Sequence, residues 1–156
     1  MRSRSLMTRD IEVYADALFD TARKNALTTD HTTECLLMLN ARARRKLVTS
    51  VGAGALCDSP DAVKQAIDEY RAVALVHVAR YRVTWVRDTV AAGLFPAPPQ
   101  GEPRKLIAVE GYWPAKGFTY LRMAQVLEAG GIRDVIELDT PDVTAGSWLQ
   151  DLLPHR

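Results

Sequence analysis

The chain of 156 residues has the length of one ordinary domain, and 47% hydrophobic with 25% charged residues are the values of a folded chain, which excludes a disordered one. Its net charge of +1 does not point to a nucleic acid or a membrane surface through global attraction. Residues 1–93 hold 14 Lys/Arg against 11 Asp/Glu and residues 94–156 hold 6 against 8, a mild asymmetry.

Cys35 and Cys57 lie 22 residues apart without metal-type partners nearby, so reduced thiols in a cytoplasmic protein are expected. Arg2 and Arg4 precede no apolar run, so no secretory signal is expected. No stretch reaches the roughly 18 uninterrupted apolar residues of a membrane span, and a soluble protein without a membrane partner is expected.

In chain order, Thr8 is placed to cap a helix with Asp10 and Glu12 in its first turn, and Ile11, Tyr14, Leu18 and Ala22 recur at three- and four-residue spacing. A second helix is expected over 31–48, with Leu36, Leu39, Ala43 and Leu47 inward and Arg42, Arg44, Arg45 and Lys46 in its last turns. Cations there suit the negative end of the helix dipole. Ser59-Pro60-Asp61 reads as a strong helix start. Val63, Ile67, Tyr70, Ala74, Val78, Tyr81 and Trp85 then keep one helical stripe, which predicts a long helix to Ala92. The run VALVHV (73–78) is apolar and β-branched, and a strand is the competing reading of it.

Residues 94–104 form a proline-rich connector between a helical part (1–93) and a lobe over 105–156, the two packed as one globular unit. The lobe reads as a strand from Lys105, a helix from Gly117 to Ala129, a Gly130-Gly131 stop, a strand from Val135 to Leu138 and a last amphipathic segment, Val143 to Leu153. The fold class expected is α+β to α/β, with a βαβ unit, a short parallel sheet and a C-terminal helix. Two strands do not make a stable sheet, so further strands hidden in the helical readings, or a partner, are the alternatives to coverage by the long helix.

Glu110 is the first candidate for chemistry. It is placed at the end of a buried strand, where ligands of α/β sheets gather, and a carboxylate there suits a hard cation or a base. Asp139 and Asp142 follow the second strand, so the three acids are expected to converge at one edge. The alternative is that they only mark turns. His31, His77 and His155 have no neighbours at metal-ligand spacing, and no nucleophile elbow, phosphate loop or zinc motif is present. Arg42, Arg44, Arg45 and Lys46 are candidates for phosphate contacts, against the plain reading of a solvated helix end. Tyr112 and Trp113 beside Lys116 are candidates for a partner-binding surface, against the reading that the rings close over the core.

The order LIAVEG, aromatic loop, YLRMAQVLEAGG and VIELDTP resembles the middle of RuvC-like resolvases, with their RNase H-type fold, over residues 60–142. The resemblance implies a Mg²⁺-dependent nuclease in which Glu110 is a metal ligand. Only Glu110 carries over residue by residue. Two functions are therefore expected of this sequence. The first is an α+β adaptor without an evident catalytic centre, which binds a protein partner or a second copy of itself. The second is a nucleic-acid-processing protein using Mg²⁺.

Overall fold

The computed structural model describes residues 4–29, 34–49, 56–83, 104–138 and 147–154. The first expected helix is present. α1 (Thr8–Ala26) buries Ile11, Ala15, Phe19, Ala22 and Ala26 along one stripe. Thr8 does not cap it. The Met7 amide donates to the Asp10 carboxylate at 2.8 Å, and Arg4 holds that carboxylate through two bonds of 2.6 and 2.7 Å.

The second expected helix is a hairpin instead: β1 (Cys35–Asn40) and β2 (Arg45–Thr49) pair antiparallel, with Leu37 opposite Leu47. Asn40 builds the turn by accepting the Arg42 and Arg44 amides on its side-chain oxygen, each at 3.0 Å. Ala43 completes the turn in the left-handed region at φ 59°. The run Leu36–Leu39 is buried on both faces, so it lacks the alternation that marks a half-exposed strand, and its leucines also fit a helical spacing.

α2 (Pro60–Tyr70) starts where the Ser-Pro-Asp signal puts it. It ends at Arg71, which adopts φ 56°, and the stripe expected to run on to Ala92 becomes the strand β3 (Ala72–Val83). The strand reading of 73–78 is the observed one; residues 84–92 lie outside the described residues, as does the connector up to residue 103.

The strand expected from Lys105 is β4 (Arg104–Trp113). The helix expected from Gly117 to Ala129 is the strand β5 (Phe118–Ala129), which pairs along its length with β4 on one side and with β6 (Ile132–Leu138) on the other. Its Leu, Met, Ala, Gln and Glu favour a helix locally, and pairing on both sides overrides that preference. Gly130 and Gly131, with φ of 59° and 79°, are the two central residues of a tight hairpin and not a helix stop.

The expected parallel βαβ unit is thus an antiparallel meander. Among the described residues the sheet has six strands in the order β2-β1-β3-β4-β5-β6, every pair antiparallel. Against the expected helical N-terminal part, three of these strands precede residue 84. A final short helix, α3 (Ser147–Leu152), falls within the expected last segment.

The sheet divides two cores. On one face, Leu37, Leu39, Val76, Val78, Ile107 and Val109 pack against α1. On the other, Leu36, Met38, Leu75 and Tyr112 pack against Val63 and Ile67 of α2 and Leu149 and Leu152 of α3. α1 is also held by charge. Arg122 on β5 makes a two-point bond to Glu137 at 2.8 and 2.9 Å and reaches Asp16 at 2.9 Å, over the Phe19 ring at 4.2 Å. The Tyr120 hydroxyl donates to Asp16 at 2.6 Å, and burial together with that carboxylate pushes its pKa up to about 12.

Gly111 lets α1 approach the sheet, because a β-carbon there would lie 2.7 Å from Cγ2 of the fully buried Ile11. Gly111→Ala is expected to lower unfolding free energy by about 1–3 kcal/mol in urea titration, the usual range for overpacking. Ala43→Gly and Arg71→Gly relieve left-handed strain of about 1–2 kcal/mol each, less the entropy that glycine adds to the unfolded chain. Each is expected to raise stability by up to about 1 kcal/mol, read as a higher urea midpoint at unchanged slope.

Candidate functional site

Burial of a histidine in an apolar strand demands a polar partner, since an unpaired polar group there is costly. His77 sits in the middle of β3 at 3% exposure, and its Nε2 is 2.7 Å from Oε2 of Glu34, the residue before β1. Glu34 uses its other oxygen to accept the Leu56 amide, at the start of the 3₁₀ turn Leu56–Asp58. Burial pushes the Glu34 carboxyl up, but the bonds from His77 and from Leu56 outweigh it, so its pKa lies below the ordinary value of 4.5. With Glu34 ionised, Nε2 carries a proton and donates. The imidazole also meets the Trp148 ring of α3, centroid to centroid at 4.5 Å and tilted by 60°.

Glu110 does not end its strand. It lies inside β4, directly across from His77 and from Leu121 of β5, and is only partly exposed. Directly opposed residues share a face, so Glu110 is on the α2–α3 side with His77. Asp139 and Asp142 lie outside the described residues. Among the described residues, no group of three His, Cys, Asp or Glu side chains is arranged to hold a metal ion. A histidine–carboxylate pair is the combination that general bases use, but here the ring is enclosed. The pair joins the start of β1, the 3₁₀ turn, β3 and α3 around one part-buried bond.

The basic residues are placed quite differently from a helix end. Arg42 and Arg44 stand at the β1–β2 turn, Arg45 and Lys46 begin β2, and all four are exposed. The helix-dipole explanation for the cluster is therefore removed. Residues 35–57 contain these four cations and no acid. Arg45 stacks over the Tyr14 ring of α1 at 5.0 Å, and none of the four forms an ion pair among the described residues. The α1 entry is tied to the same turn by the Leu6 amide, which donates to the Ala41 carbonyl at 3.0 Å.

Tyr112 and Trp113 are both buried, each at 7% exposure, one in each core. Lys116 stacks its Nζ over the Trp113 ring at 5.7 Å, but Tyr112 points to the opposite face of the sheet, so the three do not share one exposed surface. The sequence reading missed Glu34 and the structural role of His77, because 43 residues separate the pair and His77 was placed on a helix. The usable signal was the position of His77 itself, a polar residue inside VALVHV.

No helix among the described residues is long and apolar enough to cross a membrane. No family model, curated protein or solved structure matches this chain.

The depressed Glu34 carboxyl contributes stability above the unfolded-state value near 4.5, and this is lost as pH falls through its lower folded value. Asp10, held by Arg4, and Glu137, held by Arg122, are lowered too and act in the same direction. Wild-type unfolding free energy is expected to fall between pH 6 and pH 3. Glu34→Gln is expected to be less stable than wild type at pH 6, with the gap closing at low pH, as measured by urea unfolding at a series of pH values.

Proposed function

We propose that this chain is a binding module that engages an anionic partner through the β1–β2 hairpin, rather than an enzyme. The observation that carries this reading is the placement of Arg42, Arg44, Arg45 and Lys46. They lie exposed and without ion pairs among the described residues, on a hairpin whose turn is fixed by Asn40. Four like charges on a short hairpin repel one another, and apart from the stacking of Arg45 on Tyr14 they do nothing for the core. A partner that brings negative charge relieves that repulsion. The interior place of Glu110 and the enclosure of His77 favour a structural role for both, which supports binding over catalysis.

The near-neutral chain makes the test specific, since attraction to a polyanion must come from a local cluster. On immobilised heparin at pH 7.5, wild type is expected to be retained at low salt and eluted as salt rises. The triple variant Arg42→Ser, Arg44→Ser, Lys46→Ser is expected to flow through. The matched triple Lys24→Ser, Lys64→Ser, Lys116→Ser removes as much charge from exposed positions elsewhere and is expected to be retained. Equal loss in both triples, or no retention of wild type, rejects the hairpin as the site.

A further inference from the structure

Among the described residues β2 is the terminal strand of the sheet, and it is also the strand that carries the cations. We propose that its outer edge takes up an acidic, extended peptide as an additional strand. This rests on the reading of the hairpin as a site for an anionic partner and names the class of that partner.

The backbone pattern supplies the first argument. The Asn40 amide donates to the Arg44 carbonyl at 3.0 Å, which makes that pair a hydrogen-bonded one. Antiparallel pairs alternate between bonded and non-bonded. Lys46 and Val48, opposite Met38 and Leu36, therefore turn their amides and carbonyls towards β1. Arg45, Leu47 and Thr49 turn theirs outward, in the arrangement that strand addition uses.

The side chains supply the second argument. Arg45 and Leu47 lie on the α1 face of β2, whereas Lys46 lies on the opposite face beside Val48. A strand laid along this edge meets a cation on both of its faces. It also meets Leu47, an exposed leucine at 48%. A phosphate backbone has no use for that apolar surface, whereas an apolar side chain two residues from a carboxylate covers it. A peptide alternating acidic and apolar residues satisfies the edge bonds, the cations and the leucine together.

Charge on an edge strand is also the common device against pairing between copies of a protein. Here the two effects agree: the cations that repel a second β2 select a strand of opposite charge.

The test uses the full chain and a fluorescein-labelled hexapeptide of alternating glutamate and valine, read by anisotropy, with a 20-base-pair DNA duplex as the competing class. Wild type is expected to bind the peptide, more weakly as salt rises. Arg44→Glu with Lys46→Glu is expected to weaken peptide binding at least tenfold. Leu47→Pro removes an outward amide while leaving the β1 ladder intact, as proline is tolerated on such an edge. It is expected to weaken peptide binding at least tenfold and to leave heparin retention unchanged. In wild type, amide exchange at Arg45, Leu47 and Thr49 is expected to slow when the peptide is added, a readout that does not depend on any variant folding.

Unchanged exchange at these amides, or wild-type affinity in Leu47→Pro, overturns strand addition. Binding of the duplex but not of the peptide overturns it as well and leaves the anionic-partner reading standing. Loss of heparin retention together with no binding of either probe removes both.

Discussion

Everything in this fold depends on the enclosure of β3. It lies between β1 and β4, and both of its faces are covered: Val76 and Leu75, neighbours pointing to opposite sides, are each fully buried. From Ala74 to Val78 it has a partner strand on each side and a core on each face, so there its backbone is committed to its neighbours and its side chains are buried. That commitment places α1 on one side and α2 with α3 on the other, and sets the registers of the strands outward from it. It also explains the buried histidine. A polar ring in such a strand has no access to water, so Glu34 is brought to it from the start of β1.

The same sheet that is closed at its centre ends, among the described residues, at β2. Moving outward from β3, the strands pass from the buried run Leu36–Leu39 to a strand whose residues are nearly all exposed and which carries the charge. The hairpin turn is well determined, by the Asn40 side chain and by the tie from Leu6 to Ala41, so the cations sit on a defined support. A rigid edge with concentrated positive charge suits recognition better than reaction, because recognition needs shape and charge at the surface and no enclosed cavity. At the far end of the sheet the charge is arranged for the opposite purpose. Arg122 joins Glu137 and Asp16 across β5, β6 and α1, and mutual neutralisation there holds the helix on the sheet.

The resemblance to RuvC-like resolvases rested on a strand, a helix and a second strand around Glu110. The structure turns that helix into β5 and puts Glu110 in the body of β4 opposite His77. The acid stays on a buried strand but belongs to the same face as a histidine–carboxylate pair that ties elements together.

The sequence by itself determined α1, the start of α2 at Pro60, the strands β4 and β6 and a final amphipathic turn, because each carries its own local signal: a helical stripe, a serine–proline cap, or a short apolar run bounded by polar residues. Only the tertiary structure decided that 35–40, 45–49, 72–83 and 118–129 are strands. Leu36–Leu39 of β1 and Ala74–Val78 of β3 are buried on both faces and so show no alternation, β2 is short and mostly polar, and helix-forming residues fill 118–129. Gly130-Gly131 fits both a helix stop and a tight hairpin, and only the pairing of β5 with β6 selects between them. The Arg42–Lys46 cluster was visible as charge, but its exposure on an edge hairpin exists only once β2 has a sheet to border. Glu34 and His77 meet across 43 residues because β1 lies beside β3, a neighbourhood that no local pattern encodes.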